Sequence, residues 1–121
     1  MREEAAITVQ DNLRVQVQVQ DGLILLAVSG ELDLASAPML AEQLQRADEV
    51  DADVVLVDLR ELDFMDSTGL HLLLKAHKRA QELGRRFVLV KGNKQIERLL
   101  SLTGVDEKLV IVDSPEELPS D

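Results

Sequence analysis

The sequence contains no cysteine and almost no aromatic residues. The lack of cysteine excludes disulfide bonds, thiolate catalysis and zinc sites built on cysteine, and it agrees with a reducing cytoplasm. Aromatic residues make up 2% of the 121 residues, with no Trp or Tyr, so the core must be built from Leu, Val, Ile and Ala. The longest apolar run, residues 23–28, is too short to cross a bilayer, and the acidic N-terminus has no apolar segment typical of a signal peptide. We therefore expect a cytoplasmic protein without a membrane span.

Negative charge dominates, but it is unevenly distributed. The formal net charge is −10, which argues against direct binding of nucleic acid. Residues 75–98 nevertheless hold 8 basic and 2 acidic side chains. This basic segment could meet phosphates, an acidic partner or lipid head groups, or it could be a solvated face that balances its acidic neighbours.

The first clear secondary-structure signal is a hairpin. Residues 13–20, LRVQVQVQ, alternate apolar and polar side chains, which predicts a half-buried strand. Asp21 and Gly22 form the kind of dipeptide found in tight hairpin turns. Residues 23–30, LILLAVSG, then predict a second strand that is apolar, and therefore covered, on both faces.

Helical and strand patterns alternate after the hairpin. Helices are predicted after Ser36, a possible N-cap, from Gly69 until Gly84, and after Asn93, with buried strands at residues 53–59, 87–90 and 109–112. The order β-β-α-β-α-β-α-β predicts an α/β fold, in which helices pack on a mixed β-sheet with an N-terminal hairpin. We expect a single domain over 1–121, with its core at about 13–112 and polar terminal segments at 1–12 and 113–121.

Enzymatic chemistry finds little support in the sequence. Ser67 lacks the G-x-S-x-G context of a hydrolase nucleophile. His71 could reach Ser67 one helical turn away, but His77 lies about 200° around the same helix from His71, so the two histidines cannot share a site. The glycines never cluster into a phosphate-binding loop. We predict no catalytic residue and no cofactor.

The acidic residues leave two other readings to consider. An acid near the end of a buried strand, Asp58, is a feature of response-regulator receivers, but the acidic pair and the late lysine that such a site needs are missing. A metal site gathered from separate loops is not selected by any spacing, although the acids for one exist: Asp33, Asp58, Asp63 and Asp66. We predict no metal.

The stretch at residues 63–74, DFMDSTGLHLLL, places Ser67 at the entrance of a helix. One interpretation is purely structural, because either Asp66 or Ser67 could be the N-cap, which stabilises a helix by about 1 kcal/mol. The other interpretation is a phosphoacceptor, because a helix N-terminus offers N–H donors and a positive dipole end to a phosphate.

Three blocks of sequence carry a resemblance to a known family. They are GELDLASAP at 30–38, LDFMDSTGLHLLL at 62–74 and LLSLTGVDEKLVIV at 99–112. Together they resemble the STAS domain, and they are most similar to bacterial anti-sigma factor antagonists of the sporulation and general-stress type. The resemblance extends from about Leu13 to Val112.

The resemblance implies a regulatory function. The phosphorylated serine of the family corresponds to Ser67, and the partner-binding face to Glu31, Asp33, Asp66, Ser67, Thr68 and Gly69. The unphosphorylated protein would bind an anti-sigma factor that is also a serine kinase, and so release a sigma factor. Phosphorylation would break the complex, and a serine phosphatase would reset it. STAS domains also serve in lipid-transport complexes, stressosome scaffolds and anion transporters, which are the alternatives.

Overall fold

The computed structural model describes residues 4–10 and 12–118 of the chain. Strands and helices occupy most of this part, and two short 3₁₀ turns, at Val105–Glu107 and Pro115–Glu117, complete it. The elements in chain order are β1 (Glu4–Gln10), β2 (Leu13–Gln20), β3 (Leu23–Leu32), α1 (Ala37–Ala47), β4 (Val54–Met65), α2 (Ser67–Glu82), β5 (Arg86–Val90), α3 (Lys94–Leu102) and β6 (Val110–Val112).

The strands form one mixed sheet in sequence order, β1-β2-β3-β4-β5-β6. β1, β2 and β3 pair antiparallel, whereas β3, β4, β5 and β6 pair parallel, with one helix between each consecutive pair. This arrangement confirms the predicted α/β fold with an N-terminal hairpin and a mixed sheet.

The strand β1 is an addition to the predicted order. Residues 1–12 are predicted to be a polar terminal segment, but residues 4–10 pair with β2 in a continuous register from Glu4 opposite Val19 to Gln10 opposite Leu13. Ala5 and Ala6 stand side by side, so the segment alternates too weakly to indicate a strand, and pairing with β2 decides its conformation. The rest of the predicted order is confirmed, while residues 1–3, 11 and 119–121 lie outside the described residues.

The hairpin turn between β2 and β3 has the predicted chemistry. Asp21 has a φ of 49° and Gly22 a φ of 81°, so both residues are in the left-handed region. Two consecutive positive φ angles are the signature of a turn whose twist matches that of the strands, and Asp-Gly is among the dipeptides that adopt it most readily.

The helices cover only one face of the sheet. All three helices contribute to the larger apolar cluster, which also contains the fully buried Ile24 and Leu26 of β3. The alternate residues Leu23 and Leu25 point to the opposite face, where they are half-buried in a smaller cluster that includes Leu118 near the end of the described chain. From the sequence, β3 is predicted to be buried on both faces. It is fully buried on the face that carries the helices and half-buried on the other.

β4 extends much further than the strand predicted at residues 53–59. It reaches Met65, and the register with β3 shifts twice on the way, between Ala27 and Ser29 and between Gly30 and Glu31. These bulges break the alternation of apolar side chains, which is why the pattern beyond 59 does not read as a strand. The extension ends at Met65, so that only Asp66 separates β4 from Ser67 at the start of α2.

Candidate functional site

Two loops meet where β3 and β4 end. The first loop connects Leu32, the last residue of β3, to α1, and the second is the short junction between β4 and α2. The backbone N–H of Asp66 donates to the carbonyl of Leu32 over 3.1 Å, and the N–H of Leu34 donates to a carboxylate oxygen of Asp66 over 3.3 Å. The GELD sequence and the DSTG sequence therefore lie side by side and are joined by hydrogen bonds.

Asp66 is the N-cap of α2. One of its carboxylate oxygens accepts the N–H of Thr68 at 2.9 Å and that of Gly69 at 3.2 Å, while the other accepts the N–H of Leu34. This decides between the two predicted caps in favour of Asp66 over Ser67. The carboxylate thus fixes the start of α2 and ties it to the first loop, so Asp66 acts on the site by positioning both loops.

Asp33 and Ser36 organise the first loop from within. A carboxylate oxygen of Asp33 accepts the N–H groups of Ala35 and Ser36 at 3.1 and 3.0 Å. The Ser36 hydroxyl accepts the N–H of Asp33 at 3.0 Å and donates to the carbonyl of Glu31 at 2.8 Å. Asp33 is therefore a loop-shaping residue as the structure stands.

Ser36 departs from its predicted role as a capping side chain. It occupies the N-cap position of α1, but its side chain makes no capping hydrogen bond. Its backbone is in the right-handed helical region (φ −95°, ψ −19°) instead of the extended conformation of a typical N-cap, and Pro38 in the first turn has no N–H to donate. The buried hydroxyl consequently bonds to the loop.

Ser67 is exposed at the first position of α2. Within residues 4–10 and 12–118, its hydroxyl forms no hydrogen bond, and none links it to the exposed His71. Thr68, the next hydroxyl, is half-buried. Of the two side chains, that of Ser67 is the one open to an approaching enzyme.

Gly69 has a packing reason within the chain. It is buried, and a Cβ at this position would lie 2.8 Å from side-chain carbons of Leu32 and Met65. Real Cβ atoms essentially never approach other atoms so closely, so any larger residue here would force the Leu32 and Met65 side chains, or α2 itself, to shift. The resemblance assigns Gly69 to partner binding, whereas in the structure it sets the position of the helix that carries Ser67.

Two exposed apolar side chains lie close in sequence to the two loops, and neither is predicted from the sequence. Leu34 is 74% exposed and Phe64 is 47% exposed. Phe64 lies opposite Glu31 in the register of β4 and β3, and Glu31 is also exposed. Two sequence signals could have indicated these side chains: Leu34 is an apolar residue in a segment predicted to be a loop, and Phe64 stands between Asp63 and Asp66. We call Glu31, Leu34, Phe64 and Ser67 the candidate docking face.

Asp58 does not resemble a receiver phosphoacceptor in its surroundings. It lies within β4, is 8% exposed, and its carboxylate accepts hydrogen bonds from the guanidinium of Arg60 at 2.8 to 3.2 Å. The hydrogen bond and then the charge of Asp58 raise the pKa of Arg60 above its usual value. The paired carboxylate is engaged by a neighbour on its own strand and lies away from Ser67.

Several side chains of the basic segment make contacts within the chain. Arg79 pairs with Asp48 at 3.1 Å, and Lys91 pairs with Glu97 at 2.7 Å. Arg85 donates to the carbonyls at the end of α1 and just beyond it, at 3.0 and 2.9 Å. These contacts favour the interpretation of residues 75–98 as a face balanced by acidic neighbours.

Comparison with known proteins identifies the family. The family model described as the STAS domain matches residues 14–118. The anti-sigma-B factor antagonist of Bacillus subtilis is 31% identical over 96 residues, which cover 79% of this chain and 87% of that protein. The chain belongs to the STAS domain family.

Solved structures share the fold of this STAS domain. An anti-sigma factor antagonist from Mycobacterium paratuberculosis superposes with a TM-score of 0.81 at 24% identity, covering 91% of this chain and 93% of that one. The Bacillus cell fate determinant SpoIIAA in its phosphorylated form gives a TM-score of 0.62 at 16% identity, covering 94% and 95%. In the described part of the STAS domain, no helix is long and apolar enough to cross a membrane.

Proposed function

We propose that this STAS domain is an anti-sigma factor antagonist whose activity is switched by phosphorylation of Ser67. The observation that carries the proposal is the exposed serine at the first position of α2, held beside the GELD loop by Asp66. Two relatives that are 31% and 30% identical over 79% and 83% of the chain are named anti-sigma-B factor antagonists, which supports the same partner class here.

The cycle has two protein-binding states. Unphosphorylated, the candidate docking face binds an anti-sigma factor, which then releases its sigma factor. The anti-sigma factor, acting as a serine kinase, transfers the γ-phosphoryl group of ATP to the Ser67 oxygen, and ADP and a proton leave. The complex dissociates, and a serine phosphatase hydrolyses the phosphate ester to restore the serine. The STAS domain supplies the acceptor and the surface, and the partners supply the catalysis.

The candidate docking face has the chemistry of a protein interface. Leu34 and Phe64 offer apolar area that is now in water, and burying a side chain of this size contributes about 1.5–3 kcal/mol. Glu31 stands beside Phe64 and supplies a charged rim. Asp33, Asp66 and Gly69 act underneath, by holding the two loops in place, and Thr68 lies beside the acceptor.

The test of the site is a kinase assay. Incubated with the cognate anti-sigma kinase and ATP, the protein is expected to gain one phosphate, and Ser67→Ala is expected to gain none, as intact-mass spectrometry would show. Thr68→Ala is the matched control, because it removes the neighbouring hydroxyl and should still be phosphorylated. Phosphate on Thr68 in the wild-type protein would contradict the assignment. If affinity capture returned subunits of a lipid-transport complex and no kinase, the antagonist function itself would be wrong.

Removing the apolar part of the candidate docking face should weaken the complex. Phe64→Ala is expected to raise the dissociation constant about tenfold, because the variant buries less apolar surface in the complex. Leu102→Ala is the control, since Leu102 is 79% exposed but lies at the far end of α3. Calorimetric titration with the anti-sigma factor measures both. Equal losses in the two variants would show that exposure alone, and not the candidate docking face, governs binding.

A further inference from the structure

A cleft between α1 and α2 reaches down to the sheet. Its volume is about 310 Å³, and the buried side chains of Val55 in β4 and Phe87 in β5 form its floor. The two helices supply apolar walls, in which four of the six apolar side chains are alanines: Ala41, Leu44, Ala47, Leu72, Ala76 and Ala80. The short alanine side chains leave a space between the helices that the described residues do not fill.

The cleft is lined by more positive than negative charge. Arg79 is bonded to Asp48 at 3.1 Å and to Glu82 at 3.4 Å. Lys75 is exposed and Arg85 donates to backbone carbonyls, and in the described part of the chain neither of them contacts a carboxylate. Three cations beside two carboxylates leave one positive charge uncompensated. Physiological salt screens charges beyond about 8 Å, so this local surplus, and not the net charge of −10, acts on a molecule in the cleft.

We propose that this cleft binds a medium-chain carboxylate, a class of ligand that octanoate represents. The apolar chain lies between the helices against Phe87, and the carboxylate lies at the mouth beside Lys75. Arg79 is one helical turn from Lys75 on the same face of α2. It donates to its two acids through Nε and Nη1, so that, within the described residues, its Nη2 group is available to the same carboxylate.

Size and polarity favour this class over larger anions. A water molecule takes about 30 Å³ of the liquid, so a volume of about 310 Å³ holds about ten groups of that size, which is the size of octanoate. A nucleotide is larger and needs several polar partners, whereas Gln45 is the one uncharged polar side chain among the described residues that line the cleft. Apolar walls and a single uncompensated charge match one chain and one carboxylate.

The carboxylate site is independent of the proposed function. No residue of the candidate docking face lines the cleft. Lys75 lies eight positions beyond Ser67 on α2, or about 12 Å further along the helix axis. Binding of a carboxylate can therefore be measured without an anti-sigma factor, and its failure would leave the proposed phosphorylation of Ser67 untouched.

The first experiment titrates the isotope-labelled protein with octanoate at physiological ionic strength and follows backbone chemical shifts. We expect saturable changes around Ala76, Ala80 and Phe87, with a dissociation constant on the order of 0.1–1 mM. Lys75→Gln should raise this constant at least about fivefold, because it removes the free cation at the mouth. Lys78→Gln removes the same charge from α2 outside the cleft and should stay within about twofold of wild type. Equal effects of the two variants would overturn the proposal.

Two further probes separate the contributions of head group and chain. Octylamine has the same chain with a positive head group, and it should bind at least about tenfold more weakly than octanoate. Vesicles of phosphatidylglycerol present anionic head groups and acyl chains in a bilayer, and the protein should not sediment with them. Equal binding of octanoate and octylamine would show apolar contact alone. Sedimentation with the vesicles would place the ligand in a membrane, and either result would contradict a free carboxylate as the ligand.

Filling the cleft tests its location. Ala76→Leu places a larger apolar side chain in the space and should abolish the response to octanoate, with a melting temperature close to that of wild type because leucine is a good helix former. Ala41→Leu fills the cleft from α1, so the test holds even if the first variant does not fold. Gln81→Leu adds a leucine to an exposed position of α2 outside the cleft and should bind normally. Unchanged binding in a folded Ala76→Leu or Ala41→Leu protein would show that octanoate binds elsewhere and would refute the site.

Discussion

Phosphorylation of Ser67 is expected to lower the affinity of this STAS domain for its anti-sigma factor more than a hundredfold. The expectation rests on the proposed function and on the surroundings of the serine. In the complex, Ser67 would lie against the partner, where contact excludes water. A phosphate that carries a charge of about −1.5 to −2 is costly there unless the partner provides a cation. A loss of about 3 kcal/mol is sufficient for the stated change.

The structure changes one part of the expectation drawn from the sequence. A helix N-terminus is expected to offer N–H groups to a phosphate, but the N–H groups of Thr68 and Gly69 already donate to the Asp66 carboxylate. A phosphate on Ser67 therefore stands next to an acid that has taken these donors. The domain itself therefore stabilises the phosphate little. In the complex, any compensation of the added charge would have to come from the partner.

Two measurements decide whether the effect is local. Calorimetry should show weak binding for the phosphorylated protein and for Ser67→Asp, and unchanged binding for Ser67→Ala. Ser101→Asp adds the same charge to an exposed position near the end of α3, and it should bind within twofold of wild type. Backbone chemical shifts should change only around the two loops. Changes spread across the sheet would indicate a conformational switch and would contradict the local electrostatic explanation.

Replacing Gly30 by alanine is expected to destabilise the fold by at least about 3 kcal/mol. Gly30 has a φ of 95°, which L-residues other than glycine rarely adopt, and an added Cβ would collide with the carbonyl oxygen of Asn12. That oxygen cannot move away freely, because it accepts the N–H of Glu31 at 2.9 Å. For a domain of this size, the melting temperature should fall by about 10 °C or more.

Gly84→Ala is the matched control for this prediction. Gly84 also has a positive φ, 72°, but nothing lies within 4 Å of the added Cβ. The control therefore measures backbone strain without the collision and should cost about 1 kcal/mol. Thermal unfolding followed by circular dichroism compares the two variants. If they lost equal stability, the close approach of the Asn12 carbonyl would have no energetic importance.

Local patterns in the sequence predict the elements that are determined locally. The alternation in residues 13–20 gives β2, the Asp-Gly dipeptide gives the turn, and Asn93 caps α3 through the N–H of Ile96 at 2.9 Å as expected. Gly84 ends α2 with a positive φ, also as predicted. Each of these features is determined by residues close to one another in the chain, so a single sequence is enough to predict it.

The errors concern features that depend on distant partners. β1 exists because β2 offers a free edge, and the second half of β4 is hidden by bulges against β3. Serine is a residue type that often caps helices, but the Ser36 hydroxyl accepts the N–H of Asp33 and donates to the carbonyl of Glu31 instead. The exposure of Leu34 and Phe64 follows only from the packing of the whole domain. No local pattern carries this information.

The length of β4 has a consequence for motion near the serine. β5 pairs with β4 from Val54 to Asp58, so among the described residues the remainder of β4 has a strand neighbour on one side alone. On its other side, the Asn93 side chain donates to the carbonyls of Leu62 and Asp63, at 3.2 and 3.4 Å. A segment with one ladder of backbone hydrogen bonds opens at a lower free energy than the centre of a sheet. Brief opening of this arm would let the junction that carries the exposed Ser67 move, at the cost of exposing Leu62 and Met65, which are buried in the core.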